Sequence, residues 1–150
     1  FVHASLGAAH LGDVFVEDRL GGQSVVIDGD KRRLARVMAN LLGNATSHAG
    51  GPTGVFMEQE AGVVRIGVED DGPGVAPGDR ELIFDRFSRG SSAGRRGGGS
   101  GAGLGLSLVW EDIRLHDGRV WVEDRDDSGR GARFVVELPL PEDDPESVTV

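Results

Sequence analysis

The spacing of apolar residues predicts two amphipathic helices. The first is capped by Asp30, runs to about His48 and is stopped by the turn residues that follow it. Its apolar residues recur at helical spacing, at Leu34, Val37, Met38, Leu41, Leu42 and Ala45. The second helix begins at Gly103 and closes near Gly118, with a stripe formed by Leu104, Leu108, Val109 and Ile113. Each helix therefore presents one apolar face to a core.

Short alternating segments predict six strands, over residues 13–16, 25–28, 53–60, 63–69, 119–123 and 132–138. Ala61 and Gly62 join the third and fourth strands as a hairpin, and a short helical segment is expected around residues 80–84. Helices interleaved with such strands predict an α/β (α+β) two-layer sandwich. In this sandwich, a mixed, largely antiparallel sheet carries the helices on one face.

Two segments contain little that could be buried. Residues 88–102 are rich in Gly, Ser and Arg without any period, and we expect them to be mobile. The chain of 150 residues suits one domain, so residues 1–140 are expected to form it and residues 141–150 an acidic, disordered tail.

Composition and charge exclude several classes of function. The formal net charge of -9 at pH 7 argues against binding nucleic-acid phosphates, so no nucleic-acid partner is expected. The chain has no Cys, and its four His residues show no zinc-binding spacing. No apolar run approaches the roughly 18 residues of a membrane-spanning helix. Because the chain starts without Met, we expect a fragment of a longer protein, whose membrane anchor could lie upstream.

Four distinctive segments follow one another along the chain. They read Asn40-Leu41-Leu42-Gly43-Asn44-Ala45, Asp70-Asp71-Gly72-Pro73-Gly74, Ile83-Phe84-Asp85-Arg86-Phe87-Ser88-Arg89 and Gly101-Ala102-Gly103-Leu104-Gly105-Leu106. They resemble in turn the N box, the first glycine box, the F box and the second glycine box in the ATP-binding catalytic domain of bacterial sensor histidine kinases. That domain has the Bergerat-type fold shared with gyrase and MutL. Each segment alone is weakly specific, but four in this order over residues 13–140 are a strong signal.

The resemblance implies a domain that binds Mg-ATP, with site residues at the matching positions. Asn40, Asn44 and Arg86 would be catalytic, and Asn44 with Asn40 would hold Mg²⁺, since amide oxygens are hard ligands. The nucleotide would contact Asn40, Asn44, His48, Asp70, Gly72, Gly74, Phe87, Arg89, Gly101, Gly103, Leu104, Gly105 and Leu106. Ser47 stands where many relatives carry a basic residue that reaches for phosphate.

Simple physical chemistry supports these roles. The carboxylate of Asp70 can accept a hydrogen bond from the exocyclic amine of adenine and would repel the carbonyl of guanine. Gly72 and Gly74 allow the backbone to approach the base. Gly101, Gly103 and Gly105 precede a helix, whose free N–H groups favour phosphate.

Each motif also has a plain structural interpretation. The Asn residues could form the solvated side of a helix, the D-G-P-G segment could be an ordinary turn, and the glycine-rich segment a linker. Phe84 and Phe87 could simply fill the core below a loop.

The residue at position 40 favours a kinase over a hydrolase. Hydrolytic relatives of the fold place a Glu at this position, where it activates water as a general base. Asn40 has no useful basicity near neutral pH, so the site suits transfer of the γ-phosphate to an external acceptor.

The acceptor implied by the resemblance is a His on a dimerisation domain that this chain lacks. None of the four His residues lies in the family's acceptor pattern, so the isolated chain is expected to bind ATP without phosphorylating itself. The cognate response regulator would then be an indirect partner in two-component signal transduction. The family would make this a cytoplasmic domain, not embedded in the membrane, of a parent protein in the cell membrane.

Two rival functions remain open. One is a serine kinase of the anti-sigma type, whose members typically keep an acid at position 40. The other is a non-catalytic nucleotide sensor, in which the glycine-rich segment at residues 88–102 would close over the nucleotide as a lid and recruit a partner.

Overall fold

The computed structural model describes residues 2–4, 15–20, 25–85, 102–125 and 130–142. The helices in this part of the chain are α1 (Lys31–Ala49) and α2 (Ala102–Leu115). The strands are β1 (Val2–Ala4), β2 (Phe15–Asp18), β3 (Val25–Ile27), β4 (Pro52–Glu60), β5 (Val63–Asp70), β6 (Arg119–Asp124) and β7 (Ala132–Pro139). None of the helices in these ranges is long and apolar enough to cross a membrane.

Five of the strands form one mixed sheet in the order β2-β4-β5-β7-β6. Only β2 is parallel to its neighbour β4, and the other pairs are antiparallel. This sheet confirms the predicted mixed, largely antiparallel architecture. The strands β1 and β3 pair separately and antiparallel, and β1 was not predicted.

Helix α1 forms where its capping residue and its apolar period agree. The side chain of Asp30 accepts hydrogen bonds from the backbone N–H groups of Arg32 and Arg33, at 2.9 and 3.1 Å. The backbone hydrogen bond from Arg33 is the main cause that lowers the pKa of Asp30. At the other end, Gly50 takes a left-handed conformation with φ 75°. The predicted stripe packs as expected, with Leu34, Val37, Leu41 and Ala45 buried and Met38 and Leu42 partly buried.

Both helices lie on one face of the sheet, where α1 packs on β4 and β5 and α2 packs on β6 and on α1. Because side chains alternate along a strand, one set faces the helices and the other faces away. The helix-facing set includes Val55, Val64, Val68, Phe134 and Val136, which join the helix residues in one core. The opposite face carries Phe56 and Val135 beneath a layer of ion pairs that includes Arg65 with Glu137 and Arg133 with Glu69.

Some predicted boundaries were wrong. Helix α2 begins at Ala102 and therefore contains Gly103, which was expected to open it. The single helical segment expected around residues 80–84 is a pair of 3₁₀ turns, Pro77–Asp79 and Leu82–Phe84. The first predicted strand begins at Phe15, with residues 13–14 outside the described part of the chain. Residues 88–101 and 143–150, which were expected to be mobile and disordered, also lie outside it.

Candidate functional site

Asn40, Asn44 and His48 lie on one face of α1, and each is half-buried. The Nδ2 atoms of Asn40 and Asn44 are buried, and neither has a hydrogen-bond partner among the described residues. A methyl group built on Gly105 of α2 would lie 3.6 Å from Oδ1 of Asn40, so this face turns toward α2. Buried polar atoms are nearly always paired in folded proteins. The two amide nitrogens therefore do not lie on the solvated side of the helix, and an acceptor outside the described residues could satisfy them.

Asp70 ends β5 with only 4% of its surface exposed. Its Oδ1 atom accepts from the backbone N–H groups of Gly72 and Ala132, at 3.0 and 3.3 Å. Among the described residues, all hydrogen bonds of this carboxylate go to Oδ1. The position of Asp70 is thus fixed by backbone donors, while Oδ2 can accept from a donor outside the chain.

The loop after Asp70 is held by a glycine that the sequence analysis missed. Gly131 precedes β7 with φ 81°, and its N–H donates to the carbonyl of Gly72 at 2.8 Å. A methyl group on Gly131 would overlap the carbonyl oxygen of Asp70. Gly74 has φ 76°, and a methyl group there would lie 3.0 Å from the carbonyl of Gly131. The sequence around Gly131 indicates a turn and nothing more. Its contact with Asp70 joins distant parts of the chain and therefore leaves no local signal.

Two ion pairs also tie this glycine loop to the end of β6. Arg80 donates to the carbonyl of Val75 at 3.3 Å and to the carboxylate of Asp124 at 2.9 Å. The exposed Asp71 pairs with Arg125 at 3.4 Å. Asp71 is thus the exposed neighbour of Asp70.

The second glycine box lies further inside a helix than predicted. Gly103 and Gly105 do not precede the helix but belong to α2, and Gly101 lies outside the described residues. Gly103 and Leu104 occupy the first turn, where backbone N–H groups have no partner within the helix. Leu106 is one turn deeper, and its side chain is part of the core.

The F box places an aromatic ring in the core. Phe84 is buried, and its ring centroid lies 6.1 Å from that of Trp110 and 6.3 Å from that of Phe134. This confirms the structural interpretation of Phe84. The other F-box residues expected in the site, which are Arg86, Phe87 and Arg89, lie outside the described residues.

The described residues offer a pair of amides, rather than a carboxylate or imidazole cluster, as candidate metal ligands. Within residues 25–85, 102–125 and the other described ranges, no group of three His, Cys, Asp or Glu side chains could bind a metal. The amide pair on α1 is thus the candidate for ion and phosphate binding, and the acidic end of β5 for recognition of a base. Helix α1 packs directly on β5, so one pair of neighbouring elements carries both clusters.

These features define the class of protein to which the chain belongs. A model of the histidine kinase-, DNA gyrase B- and HSP90-like ATPase family matches residues 29–142. Because this match covers most of the chain, the chain belongs to that family. Relatives with similar sequences include sensor histidine kinases.

The chain is similar to the sensor histidine kinase MtrB of Mycobacterium tuberculosis, at 41% identity over 125 residues. That alignment covers 81% of this chain and 21% of MtrB, so the chain spans about a fifth of this relative. The structure is similar to that of the mycobacterial sensor histidine kinase MprB, with a TM-score of 0.69 and 28% identity over 85% of this chain and 81% of that one. The ATP-binding domain of PrrB from Mycobacterium tuberculosis gives a TM-score of 0.60 and 32% identity, covering 87% and 82%. These similarities confirm the predicted fold and the resemblance to histidine kinases.

Proposed function

We propose that this domain binds Mg-ATP and supplies its γ-phosphate to a histidine on the dimerisation domain of a parent sensor histidine kinase. The observation that carries this proposal is the pair of buried amides on α1. The Nδ2 atoms of Asn40 and Asn44 are buried without a partner in the described part of the chain. An unsatisfied buried donor costs about 1–3 kcal/mol, so a site that keeps two of them favours a ligand that removes the cost.

A magnesium–phosphate group fits these residues. One amide can serve both groups, because its nitrogen donates to a phosphate oxygen while its oxygen coordinates a cation. Asn44 would hold Mg²⁺ and Asn40 would support it or bind it too, with phosphate and water oxygens completing the coordination. When bound, the ion neutralises charge on the phosphates.

Asp70 would recognise adenine. Its Oδ2 atom can accept from the exocyclic amine, while the bonds to Oδ1 from Gly72 and Ala132 fix the carboxylate. Guanine presents a carbonyl at this edge, which the carboxylate would repel. Gly72 and Gly74 would let the backbone come close to the base, and Gly131 would hold their loop in place.

The phosphates would lie between α1 and the start of α2. The first turn of α2, with Gly103 and Leu104, offers free N–H groups and the positive end of the helix dipole. Gly105 lies beside Asn40, and Leu106 anchors this turn in the core. His48 would contact the nucleotide from the last turn of α1, and Gly101, Phe87 and Arg89 would border the site. Arg86 would neutralise charge on the transferred phosphoryl group.

Transfer rather than hydrolysis follows from Asn40. An amide at this position cannot remove a proton from water, so the residues would bind and orient the triphosphate for an outside nucleophile. The acid that a serine kinase of the anti-sigma type typically keeps at this position is also missing.

The remaining parts of the parent protein would supply the acceptor and the signal. The similar relatives are named sensor histidine kinases, and this chain spans only about a fifth of the length of MtrB. We place the domain on the cytoplasmic side of a parent kinase in the cell membrane, with a response regulator as the next acceptor. The net charge of -9 supports a partner other than nucleic acid.

Calorimetric titration of Mg-ATP and Mg-GTP tests the nucleotide site. The wild type should prefer ATP, and Asp70→Asn should weaken ATP binding by about tenfold or more, because a hydrogen bond to a charged group is lost. The asparagine oxygen can still accept from Gly72 and Ala132, so the loop should keep its shape. Asp71→Asn is the matched control, since it makes the same charge change at an exposed neighbour and should bind like the wild type. Equal affinities in all titrations would remove Asp70 as the adenine reader.

Transfer to a separately purified dimerisation domain of the parent kinase distinguishes a kinase from a nucleotide sensor. Labelled phosphate on the acceptor histidine, lost in Asn44→Ala, would support the kinase. Tight ATP binding without any transfer would support the sensor. Phosphohistidine on the isolated chain would contradict the proposed dependence on an external acceptor.

A further inference from the structure

Helices α1 and α2 meet along an antiparallel seam with three contact levels. Asn40 lies beside Gly105, Arg36 pairs with Asp112, and the backbone N–H of Asp30 donates to His116. Going from Asn40 back to Asp30 covers about 15 Å of helix, and going from Gly105 forward to His116 covers about 16 Å. The two helices are therefore in contact from the amide pair to the beginning of α1.

A buried carboxylate occupies the middle of this seam. Asp112 has 0% of its surface exposed, although it is charged and lies on a helix. Arg36 donates to both of its oxygens, from Nε to Oδ2 and from Nη2 to Oδ1, each at 2.8 Å. Arg33 adds a bond from Nη1 to Oδ1 at 3.0 Å. Asp112 thus links two successive turns of α1, and Arg36 lies one helical turn before Asn40.

The far end of the seam is closed by a histidine. The Nε2 atom of His116 accepts from the N–H of Asp30 at 2.9 Å, and its Nδ1 contacts the carbonyl of Asp112. Nε2 can accept only in the neutral ring that carries its proton on Nδ1, which then donates to that carbonyl. A methyl group on Gly29 would lie 2.7 Å from Cδ2 of His116, so the ring packs tightly against the residue before the cap.

We infer that Asp112 is a positioning residue, which sets the register of α1 against α2 and thereby the separation between the amide pair and the glycine-containing start of α2. This inference rests on the proposed nucleotide site. The amides come from α1 and the free backbone N–H groups from α2, so both must be held at one spacing for a triphosphate to reach them together. Charged hydrogen bonds are stronger and more specific in geometry than neutral ones, so three of them on one carboxylate fix the register of the two helices at this level.

The chain offers a closely matched control on the other face of the sheet. Glu137 is also a buried carboxylate, with 6% of its surface exposed, and it is also bridged by two arginines, Arg65 and Arg119. It lies on β7 away from both helices. Glu137→Gln and Asp112→Asn therefore make the same chemical change, one outside the seam and one inside it.

The test compares Mg-ATP affinity in the wild type, Asp112→Asn and Glu137→Gln, at a temperature well below the unfolding midpoint of each. We expect both variants to be less stable, and only Asp112→Asn to lose affinity, by about fivefold or more. If Asp112→Asn does not fold, Arg36→Lys keeps the charge but loses the paired geometry, and it should show a smaller loss in the same direction. The side-chain amide resonances of Asn40 and Asn44 should shift in the seam variants and stay in place in Glu137→Gln.

The outcomes separate two kinds of failure. If the wild type itself does not bind Mg-ATP, the proposed function fails. If the wild type binds and the seam variants bind equally well, Asp112 has no positioning role, although the nucleotide site stands. An equal loss in Glu137→Gln would also overturn the inference, because it would trace the effect to general stability.

Discussion

Gly131 connects the stability of the fold to the candidate base-recognition site, and replacing it with alanine should damage both. Its φ of 81° is a left-handed conformation, which costs a residue with a side chain about 1–2 kcal/mol. The added methyl group would also overlap the carbonyl oxygen of Asp70, which belongs to the backbone and cannot swing aside. Overpacking of this kind adds about 1–3 kcal/mol. We therefore expect Gly131→Ala to lower the free energy of unfolding by about 2–5 kcal/mol.

Gly62 provides a control with the same backbone angle. It also has φ 81°, in the hairpin between β4 and β5, but no atom would lie within 4 Å of an added methyl group. Gly62→Ala should therefore cost only the left-handed strain of about 1–2 kcal/mol. The difference between the two variants, about 1–3 kcal/mol, then measures the overlap with Asp70.

Urea denaturation followed by circular dichroism would give both free energies, and calorimetry would give the affinity for Mg-ATP. Only Gly131→Ala should lose affinity, because only this variant moves the loop that carries Asp70. Equal destabilisation of the two variants would refute the proposed overlap. Unchanged nucleotide affinity in a clearly destabilised Gly131→Ala would show that the position of Asp70 does not depend on this glycine.

Two further predictions concern the sheet face opposite the helices. Gly67→Ala should destabilise the protein by about 1–3 kcal/mol, because the new methyl group would overlap the ring of Phe56 on the neighbouring strand. In a Phe56→Ala background, urea denaturation should show that Gly67→Ala no longer lowers the free energy of unfolding. For Glu137, burial raises the pKa, but hydrogen bonds from Arg119 and Arg65 outweigh this and keep the pKa below the ordinary value of 4.5. The ionised Glu137 therefore contributes its full stabilisation of the fold above pH 4.5, and this contribution is lost as the pH falls through the lowered pKa. Glu137→Gln should have a smaller free energy of unfolding than the wild type at neutral pH, and that free energy should fall less in acid. A decline as steep as that of the wild type would contradict this role.

Features that depend on local periodicity could be predicted from the sequence. The apolar stripe of α1, its Asp30 cap and the hairpin at Gly62 repeat at the spacings of helix and strand, and each was confirmed. The position of Asp70 at the end of a strand followed in the same way. That Asn40 and Asn44 share one face of α1 also follows from the sequence, because residues four apart in a helix are neighbours. Their burial depends on the contact of this face with α2 and could not be predicted.

Features that depend on distant contacts could not be predicted. The pairing of Asp112 with Arg33 and Arg36 joins residues more than 70 positions apart, and α2 gave no sign beyond two adjacent acids, Glu111 and Asp112, in a largely apolar helix. Gly131 was missed for the same reason, because its contact with Asp70 joins distant parts of the chain. The start of α2 was misplaced because a helix that begins among glycines lacks a clear capping signal.

The buried amides of the candidate site have an energetic consequence that connects the fold to the proposed activity. The buried Nδ2 atoms of Asn40 and Asn44 lack partners in the described part of the chain, and each such atom costs about 1–3 kcal/mol of stability. The core between the helices and the sheet must be stable enough to tolerate this cost. When phosphate oxygens accept from these donors, the cost disappears and adds to the affinity for the ligand. A domain built in this way would gain stability on binding the triphosphate. Because position 40 carries an amide rather than a carboxylate, no general base there would activate water to hydrolyse the triphosphate before an acceptor arrives.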